Sequence, residues 1–198
     1  MKQIQLPVKA GKTPFTLWRN QPMKMLKKLL AVVLTGAMAL TLLTACGGKA
    51  VRDKDIADAL NDIVKSSVAA GETKDYTFKP RTNEQAMAKA IAALPETERN
   101  KKGGELPQKV KEILGINKGG PNEENFVWYG AAFADEVGAT GQAYRMMNHI
   151  LSEDAAKNKP EGKKPADIRY IGTALGTMTH HDGTQTTVRI IVVTAGVE

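Results

Sequence analysis

This 198-residue chain is poor in cysteine, histidine and serine, the side chains that most often act as nucleophiles or as bases near neutral pH. There is one cysteine, Cys46, and there are three histidines, His149, His180 and His181; Ser66, Ser67 and Ser152 are the only serines. His180-His181-Asp182 has the donor types that zinc accepts. Adjacent residues at a strand end point to opposite faces, however, so a solvated turn is the expectation for this triplet. His149 lies in a helical pattern, where a partly buried, hydrogen-bonded ring is the plainer expectation than a general base. No Gly-x-Ser-x-Gly elbow occurs and no serine stands beside a histidine in sequence, which removes the usual signatures of a serine nucleophile. The glycine pairs at 103–104 and 119–120 lack the Lys-Ser/Thr that completes a phosphate loop. Cys46 therefore carries the most specific chemical signal, and its surroundings decide what kind.

Those surroundings are Met23 to Cys46, MKMLKKLLAVVLTGAMALTLLTAC. Lys24, Lys27 and Lys28 form a positive leader, Leu29 to Leu43 is an almost unbroken apolar run, and Thr44-Ala45 are small: the grammar of a secretory signal. Leu43-Thr44-Ala45-Cys46 resembles the lipobox of bacterial lipoproteins. That resemblance implies a diacylglycerol on the Cys46 thiol, cleavage before Cys46, and acyl chains of the palmitate type holding the protein to a membrane. A transmembrane helix is the competing reading, but the run of about 15 apolar residues is short of the roughly 20 that a bilayer needs. Residues 1–22 have no helical or strand period and carry Pro7, Gly11, Pro14 and Pro22. They read as an unstructured extension before a start at Met23 or Met25 rather than at Met1. The expected organisation is extension 1–22, signal peptide 23–45, tether 46–50 and one extracytoplasmic domain, 51–198.

The formal charge of +7 is a property of the targeting segment. Seven of the 28 basic residues precede Cys46 with no acid among them, so the 21 that follow balance the 21 acidic residues. A pI near 9.4 is then no argument for nucleic acid. With Cys46 lipidated no disulfide is available, and stability must come from an apolar core.

Past the tether, Ile56, Leu60, Ile63, Val64 and Val68 recur at helical spacing, which predicts a surface helix over Val51 to Ala69 with Asp53, Asp55 and Asp58 near its start. Tyr76-Thr77-Phe78 is a possible short strand stopped by Pro80. A second helix is expected from Asn83 to Leu94, a polar loop from Glu96 to Glu105, and a third helix from Pro107 to Leu114 closed by Gly115. Phe126-Val127-Trp128-Tyr129 holds three of the ten aromatic residues, and core packing is their expected role. Ala134 to Leu151 reads as a helix, and Ser152 to Ala166 as a hydrophilic connection. Lys157, Lys159, Lys163 and Lys164 are diluted there by Glu153, Asp154 and Glu161, so a soluble loop is expected rather than a lipid-binding one. Ile168 to Thr179 and Thr184 to Thr194 are β-branched runs around Asp182-Gly183, a hairpin signal. Ile190-Ile191-Val192-Val193 is apolar throughout and predicts a central strand covered on both faces. Gly172 and Gly176 would let a helix lie close. The fold class expected is α+β, helices packed on a small antiparallel sheet that ends in a C-terminal β-hairpin.

Glu124-Asn125-Phe126 with Trp128, then Tyr144 to Leu151, then Tyr170 to Gly176 and Asp182-Gly183, resemble segments of bacterial CAP domains, the cysteine-rich secretory, antigen 5 and pathogenesis-related group. The resemblance covers roughly Asn122 to Gly196 and implies an α-β-α sandwich with a cleft of two histidines and two acids able to hold a divalent cation. Carried across, Glu124 matches one acid and His149 approximately one histidine, with Trp128 and Tyr144 as walls. Glu123 stands where the motif has Gly, and the second histidine has no counterpart. Half a site argues against metal-dependent chemistry, and no cofactor is expected. The preferred expectation is a membrane-anchored binding or interaction module of the cell envelope, non-catalytic, with its ligand unspecified. A CAP-like enzyme or metal-dependent ligand-binding protein is the alternative.

Overall fold

The computed structural model describes residues 51–99, 105–134 and 137–198. The signal, Cys46 and the tether lie outside the described residues. Helix α1 (Asp53–Ala69) begins where Arg52 and Asp55 close on each other: the Arg52 N–H donates to Asp55 Oδ2 at 3.0 Å and its guanidinium to Oδ1 at 2.9 Å. It buries Ile56, Leu60, Ile63 and Val64, the stripe that the spacing predicts. Strand β1 (Thr77–Pro80) follows with Phe78 inward. Its main chain is held on the outer side by Asn61 of α1, whose amide donates to Phe78 O at 3.0 Å and accepts from Phe78 N–H at 2.7 Å. Helices α2 (Thr82–Ala92), α3 (Glu96–Arg99) and α4 (Gln108–Leu114) come next, and α4 stops at Gly115 in the left-handed region, φ 66°.

The second half supplies β2 (Phe126–Phe133), α5 (Ala139–Ile150), a 3-10 turn at Glu153–Ala155, and the hairpin β3 (Ile168–Thr179) and β4 (Gln185–Ala195). Sheet order is β1-β3-β4-β2. β4 is flanked on both sides by antiparallel neighbours, which is why Ile190 to Val193 are buried one after another. One face, with Phe126, Trp128, Ile171, Ile191 and Val193, is covered by α1 and α5. The other, with Val127, Ala174, Ile190 and Val192, is covered by α2 and α4. The result is an α+β fold of three layers, helices on both sides of one sheet.

Three expectations need correction. The sheet is mixed, because β1 pairs in parallel with β3 from Thr77↔Ile168 to Pro80↔Ile171. Residues 96–99 form a helical turn rather than a loop, fixed by Arg99, which is buried and donates to Thr177 O at 2.5 Å, and by Glu96, which accepts from Thr179 N–H at 3.0 Å. The helix expected from Ala134 starts at Ala139. Pairing with β4 continues to Phe133↔Val188, and the Ala134 N–H still donates to Thr187 O at 3.0 Å. Gly172 and Gly176 do admit close neighbours: a Cβ at Gly172 would overlap the α2 backbone at Glu84 and Gln85, and one at Gly176 would stand 2.7 Å from the Arg99 guanidinium.

Candidate functional site

The four residues expected to line a cleft fall in different settings. Trp128 is fully buried on the α1/α5 face, with its indole N–H donating to Ser152 O at 2.8 Å. Tyr144 is partly buried against the same core. His149 stands exposed on the last turn of α5 with its side chain laid over Gly130, where a Cβ would come within 2.7 Å of it. Burial against that strand, with the positive charge of Lys157 second, lowers the His149 pKa below the ordinary 6.5 and favours the neutral ring. Glu124 is exposed in the loop before β2. Four residues of strand, roughly 13 Å, separate Phe126 from the Gly130 beneath His149. Trp128 is a core residue and walls no cleft, so the four do not assemble the CAP-type arrangement. Among the described residues no group of three or more His, Cys, Asp or Glu is placed to hold a metal ion.

His180, His181 and Asp182 are all exposed at the hairpin turn. Asp182 accepts from Thr184 N–H at 2.9 Å and from its hydroxyl at 2.6 Å, and these bonds hold its carboxyl below the usual range. The Asp182 side chain is thus spent on shaping the turn, with Gly183 at φ 82°.

The chemically richest places are three buried polar clusters that sequence reasoning missed. Arg169, inward on β3, stacks its guanidinium 3.6 Å from the Tyr76 ring centroid and 4.7 Å from that of Trp128. Its Nη1 donates to Ile150 O at 3.3 Å and Leu151 O at 3.2 Å. With Tyr76 OH on Leu151 O at 3.4 Å and Trp128 on Ser152 O, it covers the carbonyls where α5 ends. A cation between aromatic faces at a helix C-terminus is favoured by both the ring quadrupoles and the helix dipole. Burial lowers the Arg169 pKa, and the nearby Tyr76, Glu153 and Asp167 oppose that shift.

Arg189 on β4 makes the second cluster. It donates to Gln142 of α5, to Thr173 Oγ1 at 2.8 Å and to Val51 O at 3.0 Å, while Thr173 donates to Asp53 Oδ1 at 2.5 Å. One guanidinium thereby fixes the start of α1, where the chain enters the domain, to the middle of the sheet. On the opposite face Glu84, fully buried, pairs with Arg81 and accepts from Thr194 Oγ1 at 2.7 Å. Arg81 in turn lies 3.9 Å from the Tyr170 ring centroid. A sequence signal existed for the strand arginines: alternation puts Arg189 in phase with Ile191 and Val193, and Arg169 in phase with Ile171, so each was due to point inward.

All three clusters end on main-chain carbonyls or on one another, and none presents a nucleophile or an activated base to solvent. Their chemistry is structural: each satisfies polar groups left over where elements meet. No family model, curated protein or solved structure matches the chain.

Proposed function

We propose that the protein is a lipid-anchored extracytoplasmic domain of the bacterial cell envelope, acting as a non-catalytic binding or interaction module. The observation that carries the reading is Leu43-Thr44-Ala45-Cys46 at the end of a charged and apolar leader, five residues before Val51. Two features support it. The buried Arg169, Arg189 and Glu84 make their hydrogen bonds inside the domain rather than toward solvent. No helix among the described residues is long and apolar enough to cross a membrane; on the lipobox reading, attachment falls to acyl chains on Cys46, of which two or more give stable anchoring.

The test is Cys46→Ser. It should abolish incorporation of labelled fatty acid and leave a full-length, unprocessed precursor. Unchanged fatty-acid incorporation and unchanged processing would refute the anchor.

A further inference from the structure

Both edges of the sheet are managed, and the exception is informative. In β2 the even-numbered residues turn their main chain toward β4, as the Ala134 N–H shows by donating to Thr187 O, and the odd-numbered residues turn theirs outward. At Val127 the outward groups are taken: its N–H donates to Asn158 O at 3.2 Å and its carbonyl accepts from Lys157 N–H at 2.7 Å. Phe133 O accepts from Arg145 Nη1 at 2.9 Å and keeps a second lone pair. Between them, the N–H and C=O of Tyr129 and Ala131 and the N–H of Phe133 make no hydrogen bond among the described residues. Phe133, on the same sheet face as Tyr129, is 46% exposed, although it is one of the largest apolar side chains in the domain.

We propose that this stretch of β2 pairs antiparallel with the same stretch of a second copy of the chain, about a two-fold axis through Ala131 normal to the sheet. Ala131 then faces Ala131 of the second copy, and Tyr129 faces Phe133. Every free N–H and C=O on one edge meets its complement on the other, as an isologous contact demands. The exposed Phe133 ring gains a cross-strand aromatic neighbour, the kind of pair that stabilises antiparallel strands. The register is selective. An axis at Gly130 would set Phe133 against Val127, whose edge is already closed by Lys157 and Asn158. A long foreign strand meets the same obstruction, whereas β2 of a second copy ends at Phe133 and fits the open length.

The chain outside the described residues fits this arrangement as well, and here the argument rests on the lipid-anchor reading. Arg189 holds Val51 on the sheet face covered by α1 and α5. A two-fold axis normal to the sheet keeps that face on one side in both copies, so both chains run toward the same bilayer. Five residues from Cys46 to Val51 reach at most about 18 Å, which confines both copies to one surface and raises their effective concentration.

The experiment is a disulfide trap in the full chain, purified in detergent. Opposed residues of a hydrogen-bonded antiparallel pair have Cα atoms about 5.5 Å apart, within disulfide range. In a Cys46→Ser background, Ala131→Cys should give a covalent dimer of twice the 21.4 kDa chain on mild oxidation, while Lys118→Cys, exposed in a different loop, should not. Ala131→Pro removes an outward N–H that contributes nothing inside the monomer and should convert the parent chain from dimer to monomer with its circular dichroism unchanged. A monomeric parent chain with no Ala131→Cys disulfide overturns the proposal. So does equal trapping at Lys118→Cys, which means random collision, or a disulfide from Ala131→Cys to another protein, which means a foreign strand. The trap is read without any lipid, so its result is separate from the fatty-acid labelling that tests the anchor.

Discussion

Replacing Gly172 by alanine tests the layer arrangement at its tightest point. The added Cβ would overlap Gln85 N and Glu84 C and stand 2.5 Å from Gln85 Cα, all of it helix backbone. Carbon contacts relax at roughly 3.5–4.0 Å, so α2 must retreat by at least about 1 Å, and a gap of that size forfeits a quarter to a half of the contact energy. Met87, Ala88 and Ile91 of α2 are buried against the sheet. At about 1.5–3 kcal/mol for each large side chain, losing that fraction costs about 1–2 kcal/mol. Moving Glu84 away from Thr194 strains a buried charged hydrogen bond, adding about 1–2 kcal/mol. The expected total is about 3 kcal/mol, which lowers Tm by about 6–12 °C for a chain of this size. Urea denaturation of the full chain, with Gly196→Ala as control because no atom lies within 4 Å of its Cβ position, measures the difference. A loss below about 1 kcal/mol for Gly172→Ala would mean that α2 does not rest on β3 as described.

Two further outcomes follow from named contacts. Burial alone would raise the Glu84 carboxyl, but the hydrogen bonds from Arg81 and Thr194 and the charge of Arg81 outweigh it and hold the group below its ordinary value. Its stabilisation is therefore complete above the unfolded value of about 4.3 and is lost as pH falls through the lower folded value. Glu84→Gln should flatten the acid limb of a stability-versus-pH curve, and identical limbs in both proteins would contradict this. Asn158 Nδ2 shares its two hydrogens among Asn122 O, Glu123 O and Asn125 O at 3.1, 2.8 and 2.7 Å. Asn158→Ala should cost about 2 kcal/mol and speed amide exchange at Val127, whose N–H is held by the same loop. Unchanged exchange there would show that the loop stays in place without the side chain.

The treatment of the sheet edges explains several otherwise scattered residues. Asn61 occupies the outer side of β1, Glu96 and Arg99 bond the free edge of β3 beyond the reach of β1, and Lys157 and Asn158 close the start of β2. Unpaired edges template unwanted pairing, and side chains that satisfy them suppress it. The open run from Tyr129 to Phe133 stands out against that background.

Local pattern in the chain was enough to determine which side of each long element is apolar. The stripe of α1, the stop of α4 at Gly115, the hairpin around Asp182-Gly183, the central position of Ile190 to Val193 and the closeness of a helix to Gly172 all follow from spacing, or from what a side chain excludes. The Cys46 reading is likewise a sequence result and lies outside the described residues. Tertiary structure decided the rest. The parallel direction of β1 depends on its partner being β3, a strand from the far end of the chain, and the late start of α5 depends on β4 offering partners as far as Phe133. Trp128 became a core residue rather than a cleft wall because Ser152 and Arg169 meet it there. Periodicity records the preference of an element for water or for a core, because that preference is local. It does not record which carbonyls will be left unpaired where elements end, and Arg169, Arg189 and Glu84 take their roles from those meetings.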